Sequence, residues 1–120
     1  MNHNNVISLK VNSASTSGQV MVVRSDGDCE PYGASHTKEQ AIGVALHDVD
    51  PAEIGDAHAI HLFSGIFTAE ADATSAIAVG DTMGVKDGDG KLTNSGTLRQ
   101  LGIAMDSLSS GTGLIRVIST

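Results

Sequence analysis

Short aliphatic runs that alternate with a period of two, each cut off by glycine or a Gly-Asp pair, recur along the chain and leave little room for any element but the strand. From Ile42 the pattern is plain: Ile42, Val44 and Leu46 fall on one face, and Gly43, Ala45 and His47 on the other. Val6 to Val11 (Val-Ile-Ser-Leu-Lys-Val) and Gln19 to Arg24 (Gln-Val-Met-Val-Val-Arg) are β-favourable runs separated by the Ser/Thr-rich stretch from Asn12 to Gly18, which reads as a loop. Ser25-Asp26-Gly27-Asp28 places Gly where a hairpin needs positive φ, so Cys29 to Tyr32 can return as a short strand. Ala59 to Thr68 reads as one longer central strand, with Ile60, Leu62 and Ile66 on one face and Phe63 and Phe67 on the other. Asp50-Pro51-Ala52-Glu53 carries a capping acid, Pro at the first helical position and Glu at the third, and predicts one helical turn ended by Gly55. The remaining strands are predicted near 82–86, 101–106 and 113–118.

The second half repeats the first. Gly18-Gln-Val-Met-Val-Val-Arg matches Gly80-Asp-Thr-Met-Gly-Val-Lys, and Ile42-Gly-Val-Ala-Leu matches Leu101-Gly-Ile-Ala-Met. Ile60-His-Leu-Phe-Ser matches Ile115-Arg-Val-Ile-Ser. The sequence therefore predicts an all-β chain: a small β-barrel or β-tulip-like domain built from an internally duplicated unit, with pseudo-repeats at 18–65 and 80–120 inside a single β domain of 18–120, preceded by an arm and linker at 1–17. Two copies are too few for a propeller or solenoid. Ile42, Val44, Leu46, Ile60, Leu62, Leu101, Ile103, Ile115 and Val117 occupy matching positions in the two halves and are the expected core.

Charge and composition narrow the function. Seven Lys and Arg against fourteen Asp and Glu give a net charge of −7, and Tyr32, Phe63 and Phe67 are the only aromatic residues. Neither the phosphate backbone nor unpaired bases find their usual partners on such a chain, so no nucleic-acid binding is expected. One cysteine, Cys29, cannot close an intrachain disulfide. The longest apolar runs fall far short of eighteen residues, and the start lacks a basic region before an apolar one, so neither a membrane span nor a secretion signal is expected. With so few large aromatics in the core, neighbouring chains are expected to supply part of the stability.

No catalytic constellation stands out. Asp87-Gly88-Asp89-Gly90 resembles the middle of a calcium loop, but with those acids at its third and fifth positions the first would be Val85 and the twelfth Gly96, so a hairpin turn is expected. His58 and His61 are an odd number of residues apart in a strand and point to opposite faces, and a metal shared with His47 would still need another ligand. Met21, Met83 and Met105 read as core filler. There is no Gly-x-Ser-x-Gly elbow, and Lys91, which follows Gly90, is no lipoyl-type attachment site. The expectation is no enzyme, no catalytic residue, no metal and no cofactor.

From Phe67-Thr-Ala-Glu through Ala76-Ile-Ala-Val-Gly-Asp-Thr-Met-Gly-Val, Asp-Gly-Asp-Gly-Lys-Leu-Thr, Leu101-Gly-Ile-Ala-Met and the closing Leu-Ile-Arg-Val, the chain resembles the head decoration (capsid cement) proteins of tailed bacteriophages. The similarity covers about residues 41 to 118, and the loop from Asp50 to His58 and the first 40 residues depart from it. The resemblance implies a compact β domain on the outer surface of the capsid in the virion, assembled in the host cytoplasm. There it would bridge neighbouring major capsid proteins and stabilise the head, as a homotrimer or in some members a dimer. A ligand- or carbohydrate-binding β-sandwich is the alternative, and the scarcity of aromatics for sugar stacking weighs against it. The arm carries one apolar run, Val6, Ile7, Leu9 and Val11, with no counterpart in the second half. These four residues are the expected partner-binding group, adding a strand to an exposed edge on another subunit or on the capsid protein; the alternative is an ordinary first strand of the chain's own barrel.

Overall fold

The computed structural model describes residues 5–120; residues 1–4 of the predicted arm lie outside it. It is built almost wholly of strands, with single 3-10 turns at Lys38–Gln40 and at the expected Pro51–Glu53. The first half supplies β1 (Val6–Lys10), β2 (Val20–Val23), β3 (Cys29–Pro31), β4 (Ala41–Ala45) and β5 (Ala57–Leu62). The second supplies β6 (Ile66–Ala73), β7 (Thr82–Lys86), β8 (Asp89–Thr93), β9 (Arg99–Ala104) and β10 (Gly111–Ser119). The first five form an open sheet in the order β1-β5-β4-β2-β3, and the last five a closed barrel, β10-β6-β8-β7-β9. Read from β6, the barrel order becomes β6-β10-β9-β7-β8, the first order with each strand number raised by five. A parallel pairing of β6 with β8 at Ala71 and Leu92 closes the barrel and removes its free edges. At the matching place in the first unit, Val11 and Cys29 make one isolated parallel bridge.

The predicted strand from Ala59 to Thr68 is in fact two. Gly65 (φ +62°) turns the chain between β5 and β6, which belong to different sheets, so the apolar groups on both faces of that run serve two layers. The Ala-rich segment that follows continues β6, with Phe67, Ala69, Ala71 and Ala73 facing inward. Small side chains suit that position because the barrel has only five strands.

Five of the nine expected core residues, Val44, Ile60, Leu101, Ile115 and Val117, are buried. Ile42, Leu46 and Leu62 are half-buried, and Ile103 is 37% exposed. Bulges explain Ile42 and Ile103. On β4 the register steps from Met21↔Gly43 to Val22↔Ala41 and leaves Ile42 as an extra residue; on β9 it steps from Met83↔Gly102 to Gly84↔Gln100 and leaves Leu101. An extra residue reverses the in-out parity, so Ile42 packs into a smaller cluster with Val11, Met21, Cys29, Val49 and Ile60, while Val44 faces the larger one. By the same parity Leu101 points into the barrel and Ile103 points out. The pairings Ala45↔Ile60 and Ala104↔Val117 also put Val117, rather than Ile115, in the place that Ile60 holds in the first unit.

The two units share one core. Val20, Val22, Ala41 and Val44, on the outer face of the first sheet, join the barrel residues Met83, Val85, Leu92, Ile115 and Val117 in the larger cluster. Arg99 pins the joint: its Nη1 donates to the carbonyls of Lys38 (3.2 Å), Glu39 (3.3 Å) and Ala41 (2.8 Å), and its guanidinium carbon lies 5.8 Å from the centre of the Phe63 ring. Tyr32 Oη donates to the Lys86 carbonyl at 2.9 Å, and Glu70 N–H donates to the Gly18 carbonyl at 2.8 Å, both across the same joint.

Candidate functional site

The four arm residues fall in two environments. β1 lies at the edge of the first sheet and pairs with β5 alone, from Val6↔His61 to Lys10↔Ala57. Ile7 and Leu9 pack against the smaller cluster, and Val11, just past the strand, is fully buried within it. Val6 points outward and is 45% exposed. Asn5, before it, accepts two hydrogen bonds, one at its side-chain Oδ1 from Ser64 Oγ (2.7 Å) and one at its backbone carbonyl from Leu62 N–H (2.7 Å), which hold the start of β1 beside the turn into β6.

Beyond that turn the outer face of the barrel carries an apolar row. Ile118 on β10 stands directly opposite Ile66 on β6 and Ile103 on β9, and these residues are 42%, 51% and 37% exposed. Cross-strand neighbours of this kind have Cβ atoms about 5 Å apart, so the three side chains form one continuous surface. Arg116, two residues before Ile118, is neutralised by Asp106: its guanidinium Nη2 and Nε donate to the two carboxylate oxygens at 2.8 and 3.1 Å, and its backbone N–H donates at 2.8 Å. The side-chain bond and then the backbone bond from Arg116 hold the Asp106 carboxyl down at about 2. Sequence reasoning missed this row because it placed Ile103 in the core. The alternation in Ile115-Arg116-Val117-Ile118 was the available signal, since Ile118 lies opposite in parity to the buried Val117.

The other chemically suggestive groups are tied into the fold. Gly88 (φ +74°) turns the chain between β7 and β8, and Asp87 Oδ1 accepts the Lys38 N–H at 2.8 Å, so the Asp-Gly-Asp-Gly segment is a hairpin tip anchored to the first unit. His58 Nε2 lies 3.1 Å from the Glu53 carbonyl and His61 Nδ1 lies 2.7 Å from the Leu62 carbonyl, so the two rings serve separate backbone groups. Among the described residues no three His, Cys, Asp or Glu side chains converge on one point. Cys29 is buried, and desolvation together with Asp28 and Glu30 pushes its thiol up to about 11, which keeps it protonated and unreactive. No helix among the described residues is long and apolar enough to cross a membrane.

The comparisons agree with the architecture. A family model described as phage cement protein matches residues 1–118. The solved structure of the head fiber gp8.5 N base in bacteriophage phi29 superposes with a TM-score of 0.62 at 18% identity, over 96% of this chain and 92% of that one. At that identity the likeness is one of fold. No curated protein matches the chain.

Proposed function

The chain belongs to the phage cement proteins, and we propose that it binds the outer surface of the assembled head, bridges neighbouring major capsid proteins and stabilises the shell. The family match over residues 1–118 carries this reading. A protein that binds the assembled lattice and not its separated subunits stabilises the lattice by mass action, with no chemistry required. Its negative charge suits a place outside the shell, away from the packaged genome. The contact face is the outward row Ile66, Ile103 and Ile118, apolar groups of the kind that interfaces bury. The working form is a homotrimer, and each subunit consists of two copies of one five-strand unit joined at Gly65, with the apolar run of β1 serving as the first strand of its own unit. Light scattering on the purified chain reads the oligomer. Cosedimentation with shells stripped of their decoration reads the binding, and the bound chain should raise the temperature at which shells come apart. Ile66→Ser combined with Ile118→Ser should weaken cosedimentation at least tenfold without lowering the melting temperature of the free chain. Wild-type chain that leaves stripped shells unbound and no more heat-resistant would overturn the reading.

A further inference from the structure

One contact between the two units is made inside the chain and stands open, as two separated halves, on its outer surface. The Gly18 carbonyl, at a corner of the first unit, accepts the Glu70 N–H of β6 at 2.8 Å. The second unit carries the same corner. Gly18 and Gly80 both take positive φ (+87° and +96°), and their N–H groups donate to the Ala45 and Ala104 carbonyls at 2.7 and 2.9 Å. The Thr16 N–H donates to Gln19 Oε1 at 3.1 Å, and the Ala78 N–H to Asp81 Oδ2 at 2.9 Å. The first corner is buried against the barrel, where a Cβ on Gly18 would clash with Leu114 Cδ2. The second is bare. Gly80 is exposed, with nothing within 4 Å of a Cβ built on it, and its carbonyl accepts no hydrogen bond among the described residues. Val79 beside it is 66% exposed.

The receiving side is repeated as well. Asn5 and Gly65 accept the Leu62 and Ser119 N–H groups at 2.7 and 2.8 Å, so Lys10 holds on β1 the place that Glu70 holds on β6. Ala57, paired with Lys10, stands where Leu114 pairs with Glu70. Because Asn5 bonds to β5, alternation turns the main-chain groups of Lys10 away from β5, toward the open edge of the first sheet. The flanking side chains have changed in step. Gln19 and Glu70 flank the bond inside the chain, whereas Asp81 and Lys10, of opposite charge, flank the two open halves. Lys10 forms no ion pair among the described residues. The Ala78 N–H and then the Asn94 amide hold the Asp81 carboxyl below its usual range, and both bond to Oδ2, which leaves Oδ1 for a partner. Bulk has moved too: the bare corner has Val79 for Ser17, and the bare strand pair has Ala57 for Leu114.

We propose that the corner at residues 78–81 of one copy docks on the β1 edge of a second copy of this chain, with the Lys10 N–H donating to the Gly80 carbonyl, the Lys10 ammonium meeting Asp81 Oδ1, and Val79 covering Ala57. Such a contact joins unlike surfaces head to tail, and it closes into a ring when the rotation between copies allows. In a ring of three, six five-strand units alternate contacts within a chain and contacts between chains. The number three rests on the proposed homotrimer; the contact rests on the repeated corner and strand. Thr82 and Gln100 are exposed where the first unit buries Val20 and Ala41, so the contact between copies is the more polar of the two, which suits subunits that fold before they meet.

The test is light scattering of the full chain over a concentration series, together with carbodiimide cross-linking of a mixture of ¹⁵N-labelled and unlabelled copies. The carbodiimide joins an ammonium to a carboxylate only where the two touch. Wild type should form a closed trimer and yield a Lys10–Asp81 cross-link between a labelled and an unlabelled copy. Lys10→Glu, Asp81→Gln and Val79→Ser each install the residue that the other unit already carries at that place, so all three should stay folded by circular dichroism. The dissociation constant of the trimer should rise about tenfold in Lys10→Glu and about threefold in the other two, and Lys10→Arg should leave it nearly unchanged. The effect of Lys10→Glu should shrink in about 0.5 M salt. Unchanged dissociation in the folded variants, or cross-links between copies that never join Lys10 to Asp81, would overturn the contact and leave the trimer and the shell binding standing. Open-ended oligomers that the variants disperse would keep the contact and refute the trimer. A chain that is monomeric throughout the series would overturn both, and its cosedimentation with stripped shells would still read the head-binding function separately.

Discussion

Gly102→Ala is the most exacting test of the barrel. A Cβ built on Gly102 would lie 2.2 Å from the Ile118 carbonyl oxygen and 2.8 Å from the Ile118 carbonyl carbon, both main-chain atoms of the neighbouring strand β10. No side-chain rotamer relieves that contact, so either β9 and β10 move apart or their pairing at Gly102↔Ser119 is lost. Overpacking of a tight site costs about 1–3 kcal/mol, and a clash with rigid backbone belongs at or above the upper end, about 3 kcal/mol. Set against a total stability of about 5–15 kcal/mol, that is a large share. With a urea slope of about 2 kcal/mol per molar, the unfolding midpoint should fall by about 1.5 M. Gly113→Ala is the control, because the nearest atom to its Cβ is the mobile Leu108 Cδ1 at 3.3 Å, and its midpoint should move by a small fraction of that. If Gly102→Ala unfolds at the wild-type midpoint, the close approach of β9 to β10 is wrong, and with it the reason for the Leu-Gly-Ile-Ala motif.

Arg99→Ala removes three carbonyl contacts across the joint between the units and should cost about 2 kcal/mol, with Arg99→Lys recovering little because it lacks the planar fork; thermal melting reads both. Asp106 is held down at about 2 by Arg116, a folded-state value below the unfolded one, so its contribution is complete above about pH 4 and is lost as the pH falls toward 2; Asp106→Asn should flatten that part of the stability profile. The Cys29 thiol, raised to about 11, should react with a thiol reagent at pH 8 far more slowly in the native chain than in urea, and a native rate equal to the unfolded one would contradict its burial. Ionisation of Cys29 favours the unfolded chain, whose thiol titrates first, so stability should decline as the pH rises from about 9 toward 11 unless Cys29 is replaced by Ala.

The strand class, the Asp26-Gly27 and Asp87-Gly88 turns and the capped turn at Pro51 were legible because each depends on local chemistry: a period of two, a glycine at positive φ, a proline behind a capping acid. What failed depends on pairing. The bulges at Ile42 and Leu101 reverse parity without any composition signal, so Val44 and Ile103 looked alike in sequence yet one is buried between the units and the other faces solvent. The split of the 59–68 run at Gly65 was equally hidden, since an apolar strand on both faces reads the same as two strands in two layers. The apolar group near the N-terminus could be listed by hydrophobicity, but only the register with β5 sorts the outward Val6 from the inward Ile7 and Leu9.

Cryo-electron microscopy of phage heads before and after addition of the purified chain to stripped shells tests the central claim most directly. The account predicts new density on the outer surface, fitted by the five-strand barrel and its companion sheet, with each copy or trimer touching more than one major capsid protein. Density confined to the shell interior, or density touching one capsid subunit only, would contradict it.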